Sequence, residues 1–78
     1  MAYFPLFLDL AEKTALVVGG GPVAARKARV LLDYGPQVVV CAPRFVPELE
    51  QLSGPELRLC PFSPELLEGI SLAIAATD

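Results

Sequence analysis

The sequence contains no histidine and only two cysteines, Cys41 and Cys60, among its 78 residues. The cysteines form no CxxC pair and have no histidine to join them, so the sequence supplies neither a zinc-binding cluster nor a redox motif. Each cysteine lies in an apolar stretch, which favours buried free thiols over a disulfide. We therefore predict a cytoplasmic protein, with no metal site formed by these residues.

Positive charge and long apolar runs are also scarce. Six basic and nine acidic residues give a formal net charge of -3, which argues against nucleic acid or an anionic membrane surface as the main partner. The amino terminus shows no basic segment followed by a long apolar run, because Pro5 and Asp9 interrupt the one candidate. We expect neither a signal peptide nor a membrane span.

Aliphatic residues are abundant and occur in short runs. Hydrophobic residues make up 54% of the chain and charged residues 19%, a composition too apolar for a disordered chain. A chain of 78 residues supports one domain at most, and its aliphatic content exceeds what a small self-contained domain requires. We infer that structure outside this chain should cover part of its apolar surface.

Four apolar runs alternate with segments of helical character, the order expected of a parallel sheet with crossover helices. The predicted strands are 15–18, 37–42, 57–60 and 71–76, and the predicted helices are 22–34, 47–52 and 64–69. The first strand is a continuous apolar run, as in a strand buried on both faces. Gly35 should end the first helix in a left-handed cap, and Ser63 should cap the last one. The buried face of the first helix should consist of Val23, Ala24, Ala28, Leu31 and Leu32.

A glycine-rich segment joins the first strand to the first helix. The residues from Gly19 to Ala24 match the pattern G-x-G-x-x-A, which in this strand-to-helix context is typical of a dinucleotide site. Gly19 would allow the tight turn, Gly21 the approach of the pyrophosphate, and Ala24 the close packing of helix and strand. Free N–H groups at the helix start would face the anion. We predict a Rossmann-type α/β fold, a partial doubly wound parallel sheet with strand order 3-2-1-4.

The end of the second strand lacks the acidic residue that usually holds the adenosine ribose of NAD. We expect Ala42 and Pro43 to offer backbone contacts there, and Arg44 either to lie over the adenine or to meet a 2′-phosphate. The residues alone therefore leave NAD and NADP both open. Thr77, after the fourth strand, is a candidate neighbour of the ribose or nicotinamide, or the cap of a following helix, and the two roles are compatible.

Half of the basic residues, Arg26, Lys27 and Arg29, lie close together on the first helix. They form either a solvated helix face, which we favour, or a direct anion contact. Residues 1–8 fit neither the helical nor the alternating pattern, and we interpret them as an extended aromatic strap packed over the edge of the sheet.

Four segments, 3–7, 17–28, 42–43 and 72–78, give the chain a resemblance to a known family. It resembles the N-terminal dehydrogenase and ferrochelatase module of sirohaem (siroheme) synthase, also found as stand-alone precorrin-2 dehydrogenases. The resemblance implies an enzyme that oxidises precorrin-2 to sirohydrochlorin with NAD and then helps to insert ferrous iron. It further implies that residues 1–78 are the N-terminal part of a single NAD(P)-binding domain, which could form a homodimer.

By position, the family's cofactor contacts fall on the start of the first helix and on the residues after the second strand. Pro22 departs from the polar residue common in relatives, so a backbone contact alone is expected there. The family's catalytic aspartate lies beyond Asp78, so no residue inherits a catalytic or metal role, and we expect the chain alone to be inactive. The predicted cofactor-binding residues are Gly19, Gly20, Gly21, Pro22, Val23, Ala42, Pro43, Arg44 and Thr77.

Two other interpretations stay open at this point. The same glycine turn in a short chain is found in non-catalytic nucleotide-sensing modules, although these usually keep the acidic residue that is missing here. Alternatively, the chain binds no cofactor by itself and pairs with a second copy through apolar surface at the fourth strand and its flanking segments.

Overall fold

A computed structural model describes residues 9–76, so the predicted strap at residues 1–8 lies outside the described part. Strand β1 spans Thr14–Val18, helix α1 Pro22–Leu32, strand β2 Gln37–Ala42, helix α2 Pro47–Glu50, strand β3 Glu56–Leu59 and strand β4 Leu72–Ala75. A 3₁₀ helix, Pro64–Leu67, precedes β4. No helix within residues 9–76 is long and apolar enough to cross a membrane.

The four described strands form one parallel sheet in the order β3-β2-β1-β4, which confirms the predicted topology. One row across the sheet joins Leu57, Val40, Val17 and Ile74 in register. Because all the strands run in the same direction, their carboxyl ends lie along one edge, where ligands of open α/β sheets bind.

The two faces of the sheet carry separate apolar clusters. On the face covered by α1 and α2, Ala15 and Val17 of β1 pack with buried residues of both helices. On the other face, Leu16, Val39 and Cys41 are buried and contact residues before β4. Since β1 has buried residues facing both ways, its continuous apolar run is explained by burial on two sides.

Helix α1 begins with Pro22, whose missing N–H leaves no unmet donor at this position. Small side chains hold it close to the sheet: Ala24 and Ala28 are fully buried, as predicted, and Ala25 is also buried. The helix ends at Leu32, two residues earlier than predicted, since the next amides bond to the carbonyl three residues back in tighter turns. Gly35, with a φ angle of 92°, then takes the left-handed conformation that was predicted.

The segment before β4 differs from the prediction. The helix expected over 64–69 is a four-residue 3₁₀ helix, and Ser63 stands before it without a side-chain capping bond, so the predicted serine cap is wrong. The chain leaves helical geometry at Glu68, where ψ is 124°, and Gly69 has a φ angle of 78°. Leu66 and Ile70 pack against the second apolar cluster. This packing stabilises the segment, which forms no longer helix.

Both cysteines are free thiols, as the sequence predicts. Cys41 is buried at the end of β2, whereas Cys60 is only half-buried. Burial raises the pKa of the Cys41 thiol, and a negative charge on Cys60 would raise it further, while Arg58 acts in the opposite direction. Cys41 therefore stays a neutral thiol under ordinary conditions and behaves as a small apolar residue.

Candidate dinucleotide-binding site

Gly19 follows β1 directly and has a φ angle of 140°, a conformation that residues with a Cβ rarely adopt. Its amide donates a 2.9 Å hydrogen bond to the carbonyl oxygen of Cys41. Gly19 thus makes the predicted tight turn. Because this bond already uses its amide, Gly19 is not one of the free donors, which the sequence predicted at the helix start.

The donors that remain lie at the start of α1. Within residues 9–76, the amides of Gly20, Gly21, Val23 and Ala24 donate to no other backbone or side-chain group. Gly21 is the N-cap residue, and its carbonyl oxygen accepts a 3.0 Å hydrogen bond from Ala25. No acidic side chain occupies the first turn of the helix. The positive end of the helix dipole is therefore available to an anion such as a pyrophosphate.

A cleft of about 720 Å³ opens at this edge of the sheet, within the range of small-molecule and cofactor sites. It lies between the glycine turn and the segment 43–46 that joins β2 to α2. Six residues that the sequence predicts for the site line it: Gly19, Gly20, Gly21, Ala42, Pro43 and Arg44. The fold thus brings together two segments that are more than 20 residues apart in the chain.

Three predicted residues are placed differently. Pro22 is exposed and Val23 is half-buried at the start of α1, and neither side chain lines the cleft. Pro22 has no backbone N–H, so any hydrogen bond that these two residues donate to a ligand comes from the amide of Val23. Thr77 lies outside the described residues.

Several lining residues were not found from the sequence. Phe45 and Val46 extend the segment after β2, Pro61 and Phe62 follow β3, and Ala76 follows β4. Phe62 is 45% exposed, so this aromatic ring is accessible to a planar ligand group. The signal that could have identified it is positional, because the loops that follow parallel strands lie at the ligand-binding edge of the sheet.

The charge in the cleft is positive. Among its described lining residues Arg44 carries the charge, and no carboxylate lines the wall. Arg26, Lys27 and Arg29 are exposed on α1 and do not line the cleft. Their positions fit the solvated helix face rather than a direct contact with an anion in the cleft.

The family model described as "Putative NAD(P)-binding" matches residues 6–78. The chain belongs to this NAD(P)-binding family. Membership agrees with the NAD expected from the sequence. The amides without a partner among residues 9–76, the positive Arg44 and the absence of carboxylates from the described cleft walls fit the dianionic pyrophosphate of a dinucleotide.

Curated relatives extend this assignment and confirm the resemblance seen in the sequence. Siroheme synthase of Chromobacterium violaceum is 49% identical over the whole chain, which covers 17% of that protein. Siroheme synthase of Edwardsiella ictaluri is 51% identical, with 18% of it covered. The chain thus spans less than a fifth of the length of these relatives.

A solved structure supports the same family at the level of the fold. SirC, a precorrin-2 dehydrogenase, matches 97% of this chain with a TM-score of 0.87 and 26% sequence identity, and the match covers 40% of that chain. The Rossmann-type α/β fold of this chain is therefore similar to that of a precorrin-2 dehydrogenase.

Proposed function

We propose that this chain is the NAD-binding part of an enzyme that oxidises precorrin-2 to sirohydrochlorin in siroheme biosynthesis. The observation that carries the proposal is the set of amides at the start of α1 that have no hydrogen-bond partner among residues 9–76, since two of their residues, Gly20 and Gly21, line a cleft together with Arg44. The names of its relatives, siroheme synthase and precorrin-2 dehydrogenase, support the same activity.

In this proposal the pyrophosphate of NAD binds the amides of Gly21 and Val23, helped by the helix dipole. The adenosine lies against Pro43 and Arg44 and the accessible ring of Phe62. Bound NAD would accept a hydride from the substrate. The residues of this chain bind and orient the cofactor, and we assign none of them a catalytic role.

The remaining functions belong to the intact protein. We propose that its substrates are tetrapyrroles and ferrous iron, that it also acts as a ferrochelatase, and that it is cytoplasmic. Residues 1–78 would then form the N-terminal part of one NAD(P)-binding domain. The structural match supports this proposal, because it covers 97% of this chain but only 40% of SirC. We expect no turnover from this chain alone.

Titration of NAD into the isotope-labelled chain, followed by NMR, tests the cofactor proposal. We expect the amide signals of Gly21 and Val23 to shift with a common saturation curve, while Lys27, which is exposed on α1, serves as an internal control. NADP in place of NAD tests whether Arg44 accommodates a 2′-phosphate. Unchanged amide signals up to millimolar NAD would refute the proposal.

We also propose that the intact protein is a homodimer. Its support is the resemblance to the siroheme synthase module, which implies a homodimer. Sedimentation of the intact protein over a range of concentrations tests this. A single monomeric species at all concentrations would contradict it.

A further inference from the structure

At Gly20, the middle glycine of the turn, the chain itself fills the space that a side chain would need. This space is not kept open for a ligand. A Cβ added to Gly20 would lie directly against the carbonyl oxygen of Arg44, and only 2.9 Å from the Cβ of Ala42. Gly20 is not among the glycines with a positive φ angle, so backbone strain does not require glycine here. The requirement comes from the segment 43–46, whose backbone occupies the place that a side chain would take.

A hydrogen bond joins the same two segments. The amide of Val46 donates to the carbonyl oxygen of Gly20 at 2.8 Å. Val46 is also the N-cap residue of α2, and its own carbonyl oxygen accepts a 3.0 Å bond from Leu49. Leu49 is fully buried, so one end of the segment is anchored in the core while Gly20 holds it against the turn.

We infer that Gly20 is a positioning residue that holds the adenosine-binding segment 43–46 at a set distance from the phosphate-binding amides of α1. This inference rests on the proposed cofactor site, because that site assigns Pro43 and Arg44 to the adenosine. In a dinucleotide the pyrophosphate and adenosine are covalently joined, so both halves of the site must keep one separation to bind it. Gly20 acts on the adenosine half through the backbone of Arg44 and Val46, and an alanine at this position would keep the amide that Gly20 offers to the phosphate.

Gly20 and Gly21 therefore have different roles that substitution can separate. Gly20→Ala forces the carbonyl of Arg44 away and disrupts the adenosine half, while the amides at the start of α1 remain. Gly21 has φ -93° and ψ -168°, which any residue can adopt, so Gly21→Ala leaves the segment 43–46 in place. It adds a methyl group where the pyrophosphate is expected to approach the backbone.

The experiment measures binding of AMP and of inorganic pyrophosphate separately by NMR titration of the wild-type chain and the two variants. We expect Gly20→Ala to weaken AMP binding by about tenfold or more, since a displacement near 1 Å can have effects of this size, and to leave pyrophosphate binding unchanged. Gly21→Ala should weaken pyrophosphate binding and, because AMP also carries a phosphate, AMP binding as well. Equal AMP affinity in wild type and Gly20→Ala would overturn the inference.

A second variant removes the donor of the hydrogen bond from the Val46 amide to the Gly20 carbonyl oxygen. Val46 has a φ angle of -70°, close to the value of proline, so Val46→Pro removes the donated hydrogen bond without requiring a new φ. It should also weaken AMP binding and spare pyrophosphate binding. If Gly20→Ala proves unfolded by circular dichroism, Val46→Pro decides the question, and unchanged AMP affinity in it would overturn the inference.

A ligand-free measurement separates failure of this inference from failure of the proposed function. Hydrogen exchange at the Val46 amide should be slow in the wild type and in Gly21→Ala, and faster in Gly20→Ala. If the Val46 amide exchanged as slowly in Gly20→Ala as in the wild type, the inference would be overturned, whichever ligands the chain binds. If the wild type binds neither AMP nor pyrophosphate nor NAD, the proposed function fails and the adenosine role of Gly20 fails with it.

Discussion

Val17 of β1 lies in parallel register with Val40 of β2, and both side chains are fully buried. The two strands end within two residues of this pair, at Val18 and Ala42. The glycine turn and the segment after β2 consequently emerge side by side at one edge of the sheet. This pairing is what brings the glycine turn before α1 and Arg44 to a common cleft.

We predict that Gly19→Ala destabilises the fold, because φ at this position is 140°. A non-glycine residue in such a conformation costs about 1–3 kcal/mol. Urea denaturation followed by circular dichroism measures the change in the free energy of unfolding. Gly21→Ala is the matched control, since its backbone angles suit alanine, and an equal loss in both variants would contradict the explanation.

We predict that Arg44→Glu changes the preference between the two cofactors. A carboxylate at the end of β2 can accept hydrogen bonds from the ribose hydroxyls of NAD and repels a 2′-phosphate. The ratio of the NADP dissociation constant to that of NAD should rise by about tenfold, equivalent to roughly 1.4 kcal/mol. Isothermal titration calorimetry measures both constants. Arg26→Glu makes the same charge change on an exposed face of α1 and should leave the ratio unchanged.

We predict that a larger side chain between α1 and the sheet is poorly tolerated. Ala28 is fully buried, so Ala28→Leu must move the helix or force strained rotamers, at about 1–3 kcal/mol. Lys27→Leu adds a leucine to an exposed position of the same helix and serves as control. Thermal and urea unfolding of both variants provide the comparison, and equal stability would show that the helix packs less closely than described.

We predict that stability declines at alkaline pH partly through Cys41. Its pKa in the folded chain lies above the ordinary value of 9.0, chiefly because burial disfavours the thiolate. Below pH 9.0 the thiol is protonated in both states, and above it the unfolded chain loses its proton first, so stability falls as pH rises through the folded pKa. Cys41→Ala should show a shallower decline between pH 8.5 and 10.5 in urea titrations, roughly the window around the thiol pKa, and an identical slope would reject this origin.

The local pattern of the sequence sufficed for the elements nearest the site. The continuous run before Gly19 predicted a strand buried on both sides, and the glycine pattern followed by Pro22 predicted the start of α1. The 3₁₀ helix before β4 was not predictable in the same way, because a serine and a proline mark a helix start whether or not the following residues continue it.

The sequence by itself determined the order of strands and helices, the glycine required at position 19 and the positive charge after β2, since each depends on a residue and its immediate neighbours. Only the tertiary structure decided that the amide of Gly19 is occupied, that Phe62 reaches the cleft and that Gly20 is confined by Arg44. These facts depend on parallel pairing of β1 with β2 and of β2 with β3. Such pairing joins residues distant in the chain through contacts and hydrogen bonds that no local pattern records.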